Sequence, residues 1–97
     1  MRARWAPEAA DDLRRVLDYL TERHRQQAAR GLLAAVGSAV EMLCDGGFDG
    51  PEGVLSSGDR VRSWRLHRYG LRLYHRRTDD AAEVLRLCAD RQAPMGG

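Results

Sequence analysis

Apolar residues in the first half of the chain recur at the three- and four-residue spacing of amphipathic helices. Pro7 suits a first helical position, because its missing N–H would lack an intrahelical partner, and the apolar stripe that follows ends near His24. A second stripe runs from about Gln26 to Cys44, where glycines stop it. The short break between the two stripes predicts an antiparallel helical hairpin within residues 7–45.

The second half of the chain alternates apolar and polar residues, which is the pattern of half-buried strands. It predicts strands at about Val61–Leu66, Leu71–Arg77 and Glu83–Ala89. The connections between them are short, so the region of residues 60–90 is predicted to be an antiparallel meander.

The remaining segments complete a single small domain over residues 1–97, since a chain of 97 residues leaves no room for a second one. Residues 1–5 contain a short candidate strand. Residues 48–59 are rich in Gly, Ser, Asp and Pro and are predicted to form a surface loop. Residues 91–97 are predicted to be a frayed tail.

The distribution of charged residues along the chain adds a candidate binding surface to this fold. All sixteen basic residues are arginines, and the net charge is only +2, yet the run Arg60–Arg77 holds seven arginines and no carboxylate. If Trp64, Leu66, Leu71 and Leu73 face the helices, the arginines between them crowd the opposite, open face of the sheet. Guanidinium groups arranged in this way suit phosphate or carboxylate partners.

Other features exclude several classes of protein. No apolar stretch is long enough to span a bilayer, and the acidic N-terminal region does not resemble a signal peptide, so we expect a cytoplasmic location without membrane contact. The two cysteines, Cys44 and Cys88, are interpreted as small core residues rather than a disulfide. His67, His75 and Cys88 have no metal-ligand spacing, so neither a metal site nor a cofactor is expected.

Several segments, in order along nearly the whole chain, resemble the toxins of the ParE/RelE superfamily of type II toxin–antitoxin systems. They are Trp5-Ala6-Pro7-Glu8-Ala9 entering a helix, Arg62–Tyr69, Leu73–Arg76 and Glu83–Arg91. The resemblance implies an α+β fold of order β-α-α-β-β-β, with a helical hairpin packed on a curved antiparallel sheet of three to four strands. It also implies a cognate antitoxin whose C-terminal segment wraps around the toxin.

The superfamily divides by chemistry. RelE-like members resemble ribosome-dependent mRNA endoribonucleases, and here the candidate catalytic residues would be Arg65, Arg72, Tyr74 and Arg86 on the open face. Where relatives often read His-Gly-Arg after the last strand, this chain has Ala89-Asp90-Arg91. ParE-like members, described as poisons of DNA gyrase, resemble this chain in that respect and carry no set of nuclease catalytic residues.

The ParE-like interpretation is therefore favoured: a gyrase-directed toxin without catalysis, neutralised by its antitoxin. Its candidate partner-binding residues are Arg62, Arg65, Arg72, Tyr74, Arg76, Arg86 and Arg91. The alternatives are the endoribonuclease, with ribosome and mRNA as partners, and an inactive relative that binds only the antitoxin as a co-repressor. Operator DNA would be reached only through the antitoxin.

Simpler interpretations of individual residues also exist. The open-face arginines could be solvated strand residues that keep sheet edges from pairing. His75 shares the parity of Leu71 and Leu73 and is expected to be a partly buried, hydrogen-bonded residue. Asp11, Asp12 and Asp18 are expected to be partners of the helix dipole on a solvated face.

Overall fold

The computed structural model describes residues 2–46 and 50–89. In chain order the elements are β1 (Arg2–Trp5), α1 (Pro7–Glu22), α2 (Gln26–Cys44), β2 (Glu52–Val54), β3 (Arg60–Leu66), a 3-10 turn (His67–Tyr69), β4 (Leu71–Arg77) and β5 (Ala81–Ala89). Both helices begin at the predicted residues. The α+β fold class and the helical hairpin are thereby confirmed.

The strands form one five-stranded sheet in the order β1-β5-β4-β3-β2. Strands β2 to β5 pair antiparallel, as the meander predicted, whereas β1 lies parallel to β5. The sheet is therefore mixed and has one strand more than the predicted three to four.

The additional strand, β2, lies inside the segment predicted to be a loop. It pairs with β3 over three positions, and the Ser63 N–H donates to the Pro51 carbonyl just before it. The Arg62 guanidinium also donates to the Gly50 carbonyl at 2.8 Å and to the Glu52 carboxylate at 2.9 Å. These partners come from β3, so the composition of the loop itself did not reveal the strand.

The main core lies between the helices and one face of the sheet. Its buried residues are Ala9, Leu32, Val36 and Leu43 from the helices, and Leu66, Leu71, Leu73, Ala82, Val84 and Leu87 from the sheet. Trp64 packs against it, so the prediction that Trp64 and the three strand leucines face the helices is confirmed. At Gly31 the Tyr69 hydroxyl approaches so closely that any Cβ would collide with it. Only glycine allows this contact between α2 and the 3-10 turn.

A second, smaller core lies on the opposite face of the sheet. Leu55, Val61 and Tyr74 are buried there, and Leu85 and Cys88 pack against them. The cluster forms where the pairing of β4 with β5 is irregular, because Tyr74 lies opposite Arg86 whereas His75 lies opposite Val84. Leu85 is thus an extra residue that bulges from β5. Both cysteines are free thiols and partly buried; Cys44 packs against the main core and Cys88 against the second.

No helix in the described parts of the chain is long and apolar enough to cross a membrane.

Candidate functional site: an arginine-rich sheet and two grooves

Two of the predicted site residues, Arg65 and Arg72, lie directly opposite each other on β3 and β4. Arg65 is exposed and Arg72 is half-buried, and the Arg72 guanidinium donates to the Ser63 hydroxyl at 3.1 Å. Opposite positions of a strand pair bring the two side chains close together. Two neighbouring guanidinium groups are suited to carboxylate or phosphate oxygens.

Tyr74 lies elsewhere than expected. Its strand position does point it to the face opposite the helices, yet it is only 1% exposed, because it is enclosed in the second core. The expectation that Tyr74 shares an open surface with the arginines is therefore wrong. Alternation fixes the face of a strand to which a side chain points, but it does not reveal what covers that face.

Arg86 is held by an acid from the first helix. Its guanidinium donates two hydrogen bonds to the Asp12 carboxylate, at 2.7 Å from Nε and 3.1 Å from Nη2. The same carboxylate accepts the Leu87 backbone N–H at 2.9 Å. The hydrogen bond to Asp12 raises the pKa of Arg86 above its ordinary value, against the opposing effect of burial.

The expectation that Asp12 lies on a solvated face of α1 is also wrong. Its side chain is 9% exposed, so it is not part of a solvated face and serves as the buried partner of Arg86. The contact lies beyond the paired end of β1, where β5 pairs with β4 and α1 packs against it. Nearby, burial raises the pKa of the Cys88 thiol, which keeps the thiol neutral at physiological pH.

Arg76 lies at the outer end of β4 and bridges two acids. It donates to Glu83 on β5 at 2.9 Å and to Asp59 before β3 at 3.1 Å. The hydrogen bond to Glu83 is the main cause of its raised pKa. The last predicted partner-binding residue, Arg91, lies outside the described residues.

A basic cleft of about 530 Å³ opens where β2, β3 and the end of β4 meet. Beside it the Arg77 guanidinium donates to the Leu43 carbonyl near the end of α2. Arg60 and Arg77 were not among the predicted site residues, although both belong to the arginine run that the sequence displays. The cleft is lined by Glu52, Gly53, Val54, Arg60, Val61, Arg62, His75, Arg76 and Arg77.

A helical groove of about 640 Å³ lies between the two helices and the 3-10 turn. Tyr19 stands at its edge with 52% exposure, and the Arg23 guanidinium lies 4.9 Å from the centre of its ring. The sequence pattern did not reveal this groove, because the exposed edge of an apolar helical stripe contains the same residue types as its buried part. The groove is lined by Val16, Tyr19, Leu20, Arg25, Gln27, Ala28, Gly31, Leu32, Arg68, Tyr69 and Leu71.

Within residues 2–46 and 50–89, no group of three or more His, Cys, Asp or Glu side chains is placed to hold a metal ion. The described residues present three features suited to binding: the Arg65–Arg72 pair, the basic cleft and the helical groove. Together they define a small α+β protein equipped to bind other macromolecules.

The comparison with known families identifies the family to which this protein belongs. The sequence model described as the ParE toxin of the type II toxin-antitoxin system, parDE, matches residues 3–94. The chain therefore belongs to the ParE toxin family. Membership makes it a toxin of a type II toxin–antitoxin system, with an antitoxin protein as its partner.

A solved structure shows the same fold. It is described as the chromosomal ParDE TA system from P. aeruginosa, and it aligns with a TM-score of 0.71 over 92% of this chain and 95% of the other. The two sequences are 22% identical over this alignment, so the likeness is one of fold. A search of curated proteins gave no match.

Proposed function

We propose that this toxin acts by binding DNA gyrase together with DNA, and that the antitoxin prevents this by covering the toxin surface. The observation that carries the proposal is the Arg65–Arg72 pair on the sheet. Their opposite positions on β3 and β4 bring two guanidinium groups to one part of the sheet. A phosphate or an acidic patch on the target can bind both groups at once, so binding gains more from this pair than from scattered arginines.

The positions of two other residues favour this proposal over ribosome-dependent RNA cleavage. A nuclease needs groups that transfer protons at the 2′-hydroxyl and at the leaving oxygen, within hydrogen-bond reach of the RNA. Tyr74 is 1% exposed, and the Arg86 guanidinium is engaged by Asp12. Tyr74 is thus closed to a substrate backbone, and the Arg86 guanidinium already bonds a carboxylate through Nε and Nη2.

The helical groove supplies a surface for the antitoxin. Its lining is mainly apolar, with Tyr19 exposed at one side and two arginines, Arg25 and Arg68, among its lining residues. An amphipathic helix could insert apolar side chains between the helices and place acidic ones beside the arginines. We assign this groove to the antitoxin tail.

The central test of the proposed target uses purified toxin with gyrase and supercoiled plasmid. We expect linear plasmid after protein digestion, because a toxin bound to gyrase on cleaved DNA would stop religation. We also expect mRNA from toxin-expressing cells to remain intact in primer extension. Codon-specific mRNA breaks would establish the nuclease instead. If neither linear plasmid nor mRNA breaks appear and the antitoxin still binds, the protein is the inactive relative.

The variant Tyr74→Phe separates the same two mechanisms through one hydroxyl group. We expect growth inhibition to be unchanged, because a buried ring contributes packing and not proton transfer. Thermal denaturation should show a cost of about 1 kcal/mol or less for the lost hydroxyl. A fall in toxicity by a factor of about 100 in a protein of normal stability would assign Tyr74 a catalytic role.

A further inference from the structure

The basic cleft is separate from the helical groove and from the Arg65–Arg72 pair. Four arginines line it, namely Arg60, Arg62, Arg76 and Arg77, whereas Glu52 is the only carboxylate among the described lining residues. Arg60 is exposed and makes no ion pair within the described parts of the chain. Along β3, Arg60 and Arg62 therefore face one lining carboxylate, Glu52, while Arg76 is bonded to Asp59 and Glu83.

The ion pair that partly closes the cleft is easily exchanged. The Arg62 and Glu52 side chains are 2.9 Å apart but remain 40% and 74% exposed. Exposed pairs of this kind contribute at most about 1 kcal/mol, so an incoming carboxylate can take the place of Glu52 on Arg62. Glu52 then acts as a competitor for any acidic ligand.

The cleft also has an apolar component. Val54, on the edge strand β2, is 43% exposed, and the buried residue Val61 contributes to the wall. A ligand that matches both components carries carboxylates at the ends of short apolar stems, as glutamate side chains do. An acidic peptide can present two of them together, since alternate side chains of an extended segment point to the same side, with the spacing of Arg60 and Arg62 on β3.

Nucleic acid matches the cleft less well. Arg76, which lines one side, is already bonded to Asp59 at 3.1 Å and to Glu83 at 2.9 Å. A continuous phosphate backbone would bring its charges close to these two carboxylates as well as to the arginines. A peptide with only two or three acids can avoid them.

We propose that the basic cleft binds an acidic, extended segment of the antitoxin, with one carboxylate on Arg60 and another replacing Glu52 on Arg62. This proposal rests on the proposed function, in which the antitoxin covers the toxin surface. It adds a second contact region, chemically different from the apolar helical groove. The antitoxin tail is then held at two places on the toxin, which strengthens binding through effective concentration.

The first experiment measures the cleft by itself. The peptide Glu-Val-Glu-Val-Glu-amide, with an uncharged fluorophore on its N-terminal nitrogen, is titrated with the full-length toxin at low salt. The same peptide with Gln in place of Glu is titrated beside it, and a 12-base-pair DNA duplex serves as a competitor. We expect the acidic peptide to bind at least about tenfold more tightly than the Gln peptide, and to stay bound when the duplex is added. Equal binding of the two peptides, or displacement of the acidic peptide by the duplex, would overturn the proposal.

Two substitutions at the cleft should change the affinity in opposite directions. Arg60→Ala should weaken binding of the acidic peptide about three- to fivefold, and Glu52→Gln should strengthen it by a similar factor, because it removes the competing carboxylate. Arg15→Ala, on the exposed side of α1, is the matched control for lost charge and should change nothing. If both cleft variants behave like Arg15→Ala, the peptide binds elsewhere and the proposal fails.

The second experiment tests the occupant. The antitoxin, expressed from the reading frame beside the toxin gene, should displace the labelled acidic peptide from the toxin. If the antitoxin binds the toxin and leaves the peptide in place, the antitoxin is not the occupant of the cleft. The proposed function then survives, because the antitoxin still covers another surface of the toxin. If the antitoxin does not bind the toxin while the peptide does, neutralisation and the assigned occupant fail together.

Discussion

Asp12→Ala is expected to lower the free energy of unfolding by about 2–4 kcal/mol, a large fraction of the stability of so small a protein. The substitution leaves the Arg86 guanidinium and the Leu87 N–H without the acceptor they share. The Asp12 side chain is 9% exposed and that of Arg86 is 34% exposed, so water can compensate the arginine only in part. Urea denaturation followed by circular dichroism measures the loss.

Asp11→Ala is the matched control, because it removes a neighbouring carboxylate of the same helix. That carboxylate is 53% exposed and pairs with Arg14 three residues away, so its loss should cost about 0.5 kcal/mol or less. Asp12→Asn, which keeps an acceptor for Leu87, should lie between the two alanine variants. If Asp12→Ala and Asp11→Ala cost the same, the contact does not anchor α1 to β5.

The double variant Arg65→Glu, Arg72→Glu is expected to reduce gyrase-dependent plasmid linearisation about tenfold or more. Each exposed contact is worth at most about 1 kcal/mol, but reversal replaces attraction by repulsion at two adjacent positions. Single alanine substitutions should therefore be mild and the double reversal severe. The measurement is the toxin concentration that gives half-maximal linear plasmid.

Two controls protect that result. Arg14→Glu, Arg15→Glu makes the same change in charge on exposed residues of α1 and should leave linearisation unchanged. The Arg65→Glu, Arg72→Glu protein, the sheet variant, loses the hydrogen bond from Arg72 to Ser63, so its folding needs its own check. Antitoxin binding and thermal denaturation provide that check. Undiminished linearisation by a folded sheet variant would place the target-binding surface elsewhere, most simply on the helical hairpin.

Tertiary structure alone decided where the predicted site residues stand. Arg86 and Asp12 are 74 residues apart in sequence, and nothing local to either one indicates their pairing. The bulge at Leu85 and the burial of Tyr74 depend on how β4, β5 and the segment around Leu55 meet. The strand β2 likewise depends on hydrogen bonds to β3, and the basic cleft exists only where these strands come together.

The sequence by itself determined the helices, the three meander strands and the side of the sheet that carries the core. It could do so because the periods of 3.6 and 2 residues reflect burial of one face, which is a local property of each element. The order of those elements was also sufficient to suggest the toxin family. The positions of individual arginines, in contrast, depend on which distant carboxylates approach them, and only the folded chain brings those groups together.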